Sequence, residues 1–315
     1  MNKFFRIRYK SQLNFSKTAL ALSLPFLLSV SFAIYAIQTD GNRSNYVSNL
    51  NYEESRTLDL LEGIKRENEK DKFVDNGECI FSSNNFSTEF KKRILECRKT
   101  FGEGVLFFGD SHSKDIFNSY QYLNKTNFVV GISANFCQAH EKINHCFYAQ
   151  LSDFLKRYPK AFSKIYYHQA GYFFLGNKGI KFDNKHYLGE LTLQDDSSFE
   201  ILSDRINRLK LNLSEFPENL VIIGPKIEPH IQTKYINKYT CNSEFSTRKN
   251  LDYAYKELDQ SFKKIFERDK YISLQDLTNF SMKEDFINCN EIYWSDGDHW
   301  SKAGEIKFSI FLKNL

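Results

Sequence analysis

From about Phe73 onward, short apolar runs alternate with amphipathic ones, and few folds accommodate that alternation. Val105 to Phe108, Phe128 to Ile132, Lys164 to Tyr167, Leu220 to Ile223 and Tyr271 to Leu274 are rich in Val, Ile, Leu, Phe and Tyr, the composition of buried strands. Between and after them, Lys114 to Leu123, His145 to Arg157, Phe199 to Leu211, Thr247 to Arg268 and Ala303 to Leu312 carry helical patterns. Strand then helix, five times over, predicts an α/β domain with a five-stranded parallel sheet wrapped on both faces by helices. In such sheets sites form beyond the carboxyl ends of the strands, so the loops after Phe108, Ile132, Tyr167 and Ile223 are where chemistry is expected.

Ahead of this domain, Thr18 to Ile37 is a run of 20 residues without a charge. As a helix it would span a hydrocarbon core of roughly 30 Å. Lys3, Arg6, Arg8, Lys10 and Lys17 precede it with no acidic residue among them. Positive flanks stay cytoplasmic, which predicts a single-pass signal-anchor at 18 to 37, a cytoplasmic tail at 1 to 17, and the remainder in the periplasm or outside the cell. A cleaved signal peptide is the rival reading, since Ser31-Phe32-Ala33 offers small residues, but the run is longer than a usual signal core. Beyond Ile37, 38 basic side chains face 39 acidic ones, so the body is near neutral and a nucleic-acid partner is not expected. Residues 38 to 72 are polar and read as a stalk, leaving 73 to 315 as the catalytic domain.

All six cysteines lie after the charge-free run, and an even number on the exported side implies disulfides. No Cys-x-x-Cys or Cys/His cluster at zinc spacing competes, so neither a metal nor a cofactor is expected. Nearness pairs Cys79 with Cys97, Cys137 with Cys146, and Cys241 with Cys289.

Two short motifs carry chemistry. The strand ending at Phe108 runs into Gly109-Asp110-Ser111-His112-Ser113 and then into a helix. Gly109 permits a tight turn, and Ser111 falls near a helix N-terminus, where free N–H groups and the dipole favour an oxyanion. An ordinary N-cap would read the same way. Near the C-terminus stands Asp296-Gly297-Asp298-His299-Trp300-Ser301-Lys302-Ala303-Gly304. A serine hydroxyl needs an imidazole to take its proton, and the imidazole needs a carboxylate to hold its tautomer; Asp296 and His299 supply both. Alone, Asp-x-x-His would read as an Asx-turn. Coupled to a strand-terminal Gly-Asp-Ser in this chain order, it reads as the rest of a triad.

With these motifs the chain resembles the SGNH/GDSL hydrolase superfamily, and more closely the SGNH domains fused to or partnered with membrane acyltransferase-3 proteins. The resemblance rests on Gly109-Asp110-Ser111-His112, Val221-Ile222-Ile223-Gly224-Pro225, the cysteines flanking the first strand, and Asp296-x-x-His299 with Trp300-Ser301 and Gly304. It covers about Phe73 to Leu315. It implies a three-layer α/β/α, flavodoxin-like domain with Ser111 as nucleophile, His299 as base and Asp296 as orienting acid. It also implies O-acyl transfer, O-acetyl above all, to a cell-envelope polysaccharide, with a separate membrane acyltransferase as partner delivering the acyl group.

The superfamily completes its oxyanion hole with a Gly after the second strand and an Asn after the third. Gly131 stands nearest the first of these. The third-strand loop reads His168-Gln169-Ala170-Gly171-Tyr172 without an Asn, leaving Gln169 or a backbone N–H near Gly171 as substitutes. Losing one donor costs about 2.7 to 4 kcal/mol of transition-state stabilisation. Two alternatives therefore stay open: a carbohydrate O-acetyl esterase with the same triad, and a non-catalytic glycan-binding subunit with Tyr172, Phe173 and Phe174 near the site. His112 and His168 read as structural, and Asp298, the rival orienting acid, reads as a local cap.

Overall fold

The computed structural model describes residues 15–67, 74–75, 77–123, 125–141, 146–177, 199–229 and 251–315. Most of the expected cytoplasmic tail, Cys241, His145 and residues 247–250 lie outside the described residues. The chain divides into two units, Met1–Ser55 and Arg56–Leu315.

In the first unit, α1 (Phe15–Gln38) contains the charge-free run, and α2 (Arg43–Ser48) follows it. Leu24, Phe26, Leu27, Leu28, Phe32 and Ile37 each expose more than half their surface. Among the described residues no helix is long and apolar enough to cross a membrane. The expected anchor lies partly outside that description, because the side chains of residues 15–22 are not among those described.

A reciprocal cap starts α3 (Tyr52–Glu67): Asn51 Oδ1 accepts the Glu54 N–H at 2.9 Å and Glu54 Oε2 accepts the Asn51 N–H at 3.0 Å. Further along α3, Leu61 and Ile64 are buried in the core of the second unit, so part of the stretch expected as a stalk packs into the domain.

The second unit is built on a seven-stranded sheet of order β1-β2-β4-β3-β5-β8-β9. These strands are β1 (Val74–Asp75), β2 (Ile80–Ser83), β3 (Gly104–Gly109), β4 (Val129–Ser133), β5 (Phe162–His168), β8 (Leu220–Ile223) and β9 (Tyr271–Ile272). β1 is antiparallel to β2, and every other pairing is parallel. All five expected strands are present, but the five-stranded parallel sheet becomes one of six parallel strands plus an antiparallel edge. The added strand β2 is short and half polar, and Cys79, the residue before it, is joined by a disulfide to Cys97 of α4 (Thr88–Phe101), with Cα atoms 5.6 Å apart. Taken alone, the five expected strands follow the order 2-1-3-4-5, which puts the topological switch point between β3 and β5.

Side chains alternate along the central strands and feed two cores. Leu106 and Phe108 of β3 point to one face with Phe90 and Ile94 of α4, Leu151 and Leu155 of α6 (Tyr148–Arg157), and Leu258 of the helix Leu251–Ile265. Val105 and Phe107 point to the other with Ile116, Phe117 and Tyr120 of α5 (Ser111–Gln121) and Phe308 of the helix Lys302–Ser309. Each fully buried Phe or Leu contributes about 1.5–3 kcal/mol, and the result is three layers, α/β/α.

Other boundaries shift for local reasons. The helix expected from Phe199 starts at Ser203, because Phe199–Ile201 forms β7 and pairs with β6 (Leu175–Asn177) in a separate antiparallel sheet. The last strand stops at Ile272, since Ser273 Oγ accepts the Asp276 N–H at 3.1 Å and caps the helix Leu274–Thr278. A second disulfide joins Cys137 to Cys146, and Cys289 is also disulfide-bonded.

Candidate active site

The turn that carries Ser111 is fixed by how closely β3 and β5 approach. A Cβ on Gly109 would come within 1.8 Å of the His168 carbonyl oxygen, so the chain can turn there only with glycine. Asp110, not Ser111, is the N-cap of α5. Its Oδ1 accepts the His112 N–H at 2.9 Å and its Oδ2 accepts the Ala170 N–H at 3.0 Å, tying the Ser111 turn to the loop after β5. Burial pushes the Asp110 carboxyl above its ordinary value, against the pull of His112 and these two backbone donors. Ser111 is thereby released from capping and takes the first helical position, half-buried, where a backbone N–H has no intrahelical acceptor.

His299 reaches Ser111 from the loop before the last helix. Its Nε2 lies 2.9 Å from Ser111 Oγ, and its Nδ1 lies 2.9 Å from Asp296 Oδ2. Asp296 Oδ1 also accepts the N–H groups of Asp298 (2.9 Å) and His299 (2.7 Å), so the same carboxylate closes an Asx-turn and faces the imidazole. Pairing of Trp294 with Trp300 shuts the loop, and Ser301 Oγ caps the helix behind it through the Gly304 N–H. The structure thus brings Ser111, His299 and Asp296 together.

Asp298 is more than a local cap. Its Oδ1 lies 3.0 Å from His299 Nδ1, and its Oδ2 lies 3.3 Å from Nε2 of the buried His112. The two imidazole centroids are 4.5 Å apart. Burial opposes charge on His299, but Asp296 and Asp298, with Asp115 behind them, hold its pKa well above the ordinary imidazole value. Burial likewise works against charge on Asp298, and hydrogen bonds from His112 and His299 outweigh it, holding that carboxyl below the usual range.

Gly131 and Gln169, expected at the oxyanion hole, are employed elsewhere. Gly131 sits mid-strand in β4, paired with Phe107 and Ser82, and a Cβ there would meet the Phe117 ring at 2.7 Å. It is the gap that lets α5 lie on the sheet. Gln169 is buried: its Oε1 accepts the Ala139 N–H at 3.2 Å and the Tyr167 hydroxyl, and its Nε2 lies 3.0 Å from His140 Nδ1. The backbone near Gly171 is occupied too, because Glu228 accepts the N–H groups of Gly171 at 2.6 Å and Tyr172 at 3.2 Å. His168 is structural, with Nδ1 3.1 Å from the Ile223 carbonyl and its pKa lowered to about 3 by burial. Phe173 and Phe174 are buried, while Tyr172 is half-buried beside His112, with ring centroids 6.2 Å apart.

Sequence reasoning missed the buried polar floor of the site. Lys226 and Asp115 form an ion pair, Asp115 Oδ2 also accepts the Trp300 N–H at 3.0 Å, and Lys226 lies over the Trp300 ring at 5.0 Å. Glu228, fully buried, takes the Tyr255 hydroxyl at 2.7 Å and lies 3.7 Å from His112 Nδ1. The available signal was two charged residues, Lys226 and Glu228, placed directly after an apolar strand at a position where ligands bind.

The fold and site define an α/β protein with a Ser-His-Asp arrangement at the carboxyl ends of its strands. No protein-family model and no curated protein matches this chain.

Proposed function

We propose that this protein is an SGNH-type serine O-acyltransferase, held in the membrane by a single N-terminal anchor at 18 to 37 with its catalytic domain exported, and that it moves acetyl or a similar acyl group onto a cell-envelope polysaccharide. The observation that carries the reading is the unbroken chain from Ser111 Oγ to His299 Nε2 at 2.9 Å and from His299 Nδ1 to Asp296 Oδ2 at 2.9 Å. The exposed apolar side chains of α1 and the disulfides support an exported, anchored domain.

In the first half-reaction, at a pH above the raised pKa of His299 so that Nε2 carries a lone pair, Ser111 Oγ attacks the acyl carbonyl while its proton passes to His299 Nε2. The Ser111 N–H at the start of α5 faces the developing oxyanion. The tetrahedral adduct collapses, the C–O or C–S bond to the donor breaks, and His299 returns the proton to the departing group. In the second half-reaction a sugar hydroxyl gives its proton to His299 and attacks the acyl-Ser111 carbonyl. The Ser111 C–O bond then breaks, Ser111 recovers the proton, and the sugar leaves as an ester. A separate membrane acyltransferase would supply the acyl group from the other side of the membrane.

Mass balance on a glycan tests this. The full chain in detergent, given p-nitrophenyl acetate and candidate envelope polysaccharides, is expected to add acyl groups to a sugar in a Ser111-dependent way. Release of acetate alone would replace transferase by esterase, and absence of any Ser111-dependent product would favour a glycan-binding subunit.

A further inference from the structure

We propose that His112, Asp298 and His299 bind a divalent transition-metal ion of the zinc type, and that the bound ion switches Ser111 off. The switching half of this inference rests on the acyl-enzyme reading above; the binding half does not.

One nitrogen from each of two imidazoles and one carboxylate, all within 4.8 Å of one another, converge beneath the nucleophile. Zinc–nitrogen and zinc–oxygen bonds of about 2.0–2.1 Å place tetrahedral ligands about 3.3 Å apart. Asp298 Oδ2 lies 3.3 Å from His112 Nε2, the length of one edge of that tetrahedron, and the other oxygen of the same carboxylate, Oδ1, lies 3.0 Å from His299 Nδ1. Asp296 Oδ2, 2.9 Å from His299 Nδ1, is placed to supply a fourth donor or to bond a metal-bound water. Imidazole and carboxylate together select zinc, copper or nickel over magnesium or calcium, which ask for six or more oxygens.

The surroundings favour a cation there. Two carboxylates border the point, Glu228 lies 3.7 Å from the far nitrogen of His112, and the nearby Lys226 is already paired with Asp115. His112 is 1% exposed and held by its position on α5, so one ligand is fixed in advance. The remaining ligands lie on the Asp296–His299 loop, where Asp298 and His299 are half-buried and a metal ion can reach them.

The inhibitory consequence follows from tautomers. Catalysis needs the Nδ1–H of His299 directed at carboxylate and a lone pair on Nε2 directed at Ser111 Oγ. A metal bonded to Nδ1 takes the lone pair of that nitrogen and leaves the ring proton on Nε2. The ring can then no longer accept the Ser111 proton, and the hydroxyl stays unreactive until the metal leaves.

Isothermal titration of zinc chloride into full-length Ser111→Ala in detergent tests binding without depending on activity. We expect one site per chain, an affinity reduced at least about tenfold by His112→Asn or by Asp298→Asn, and no comparable site for magnesium. Circular dichroism on each variant distinguishes a lost ligand from a lost fold, and His112→Gln serves if His112→Asn unfolds. Zinc should also stop ester cleavage by the wild type, with recovery on adding a chelator. Zinc affinity unchanged in both folded variants, or no zinc binding at all, would overturn the site. Binding that depends on His112 and Asp298 but leaves ester cleavage untouched would overturn the switch. Binding in a protein that never acylates would retain the site and remove the acyl-enzyme reading instead.

Discussion

The two sides of the switch point carry the same residue types to different ends. On the Ser111–His299 side, the Ser, His and Asp side chains bond one another across 188 residues of chain and remain partly open to solvent. On the side formed by the end of β5 and the loops after β5 and β8, Gln169, Glu228, Lys226 and His168 are equally polar but buried, and their partners are backbone groups, Tyr hydroxyls, His140 and Asp115. Polar residues at strand ends are therefore insufficient to define a reactive set. What separates the two sides is burial: apart from His168 Nε2, the second set spends its polar atoms on partners inside the protein, whereas the first stays open to solvent.

That contrast can be broken experimentally, beginning with the largest effect. Ser111→Ala should lower ester cleavage by about four orders of magnitude or more while leaving stability within about 1 kcal/mol, because Ser111 is half-buried and Asp110 provides the cap. Rate measurements paired with urea melts check both halves.

Asp115→Asn should do the reverse. It retains an acceptor for the Trp300 N–H but strands the buried Lys226 charge, at a cost of about 3–5 kcal/mol in the same melts. Next come the two carboxylates on His299 Nδ1. Because either can hold the tautomer, Asp296→Asn and Asp298→Asn should each cost about ten- to a hundredfold, and the double variant far more than the product of the two. A double-mutant cycle on kcat/KM reads this directly, and simple additivity would mean that only one of them orients the base.

The buried histidines give a pH test. His168 and His140 have folded pKa values lowered to about 3 from 6.5, so below 6.5 the unfolded chain binds more protons than the folded one. Stability should therefore fall as pH drops from 6.5 toward 3, and these groups should contribute no slope above 6.5. His168→Asn should flatten that slope in pH-dependent denaturation, and an unchanged slope would place the acid sensitivity elsewhere. Gln169→Ala should give the smallest effect on chemistry: a loss of about 1–3 kcal/mol in stability from unpaired buried groups, with kcat changed little.

Much of this was legible in the sequence, for physical reasons. Buried parallel strands demand near-continuous apolar runs, so the five central strands stood out, and Gly109 marked a backbone contact no side chain tolerates. Ser111, Asp296 and His299 were legible because their spacing along the chain reflects local turns. β2 was not, since a four-residue strand next to the edge with one buried face shows little apolar length. Gln169 misled because its amide is consumed by Ala139 and His140, contacts 30 and 29 residues distant in sequence. The same holds for Asp298, whose partner His112 lies on another element altogether.

If the proposed chemistry is right, Ser111 carries an acyl group in turnover. Intact-mass analysis of the full-length protein, quenched with acid after brief exposure to p-nitrophenyl acetate, tests it most directly. A species heavier by one acetyl group is expected, mapped by peptide sequencing to Ser111 and absent from Ser111→Ala and His299→Ala. An adduct on another residue, or an unmodified wild type that nevertheless releases p-nitrophenol, would contradict it.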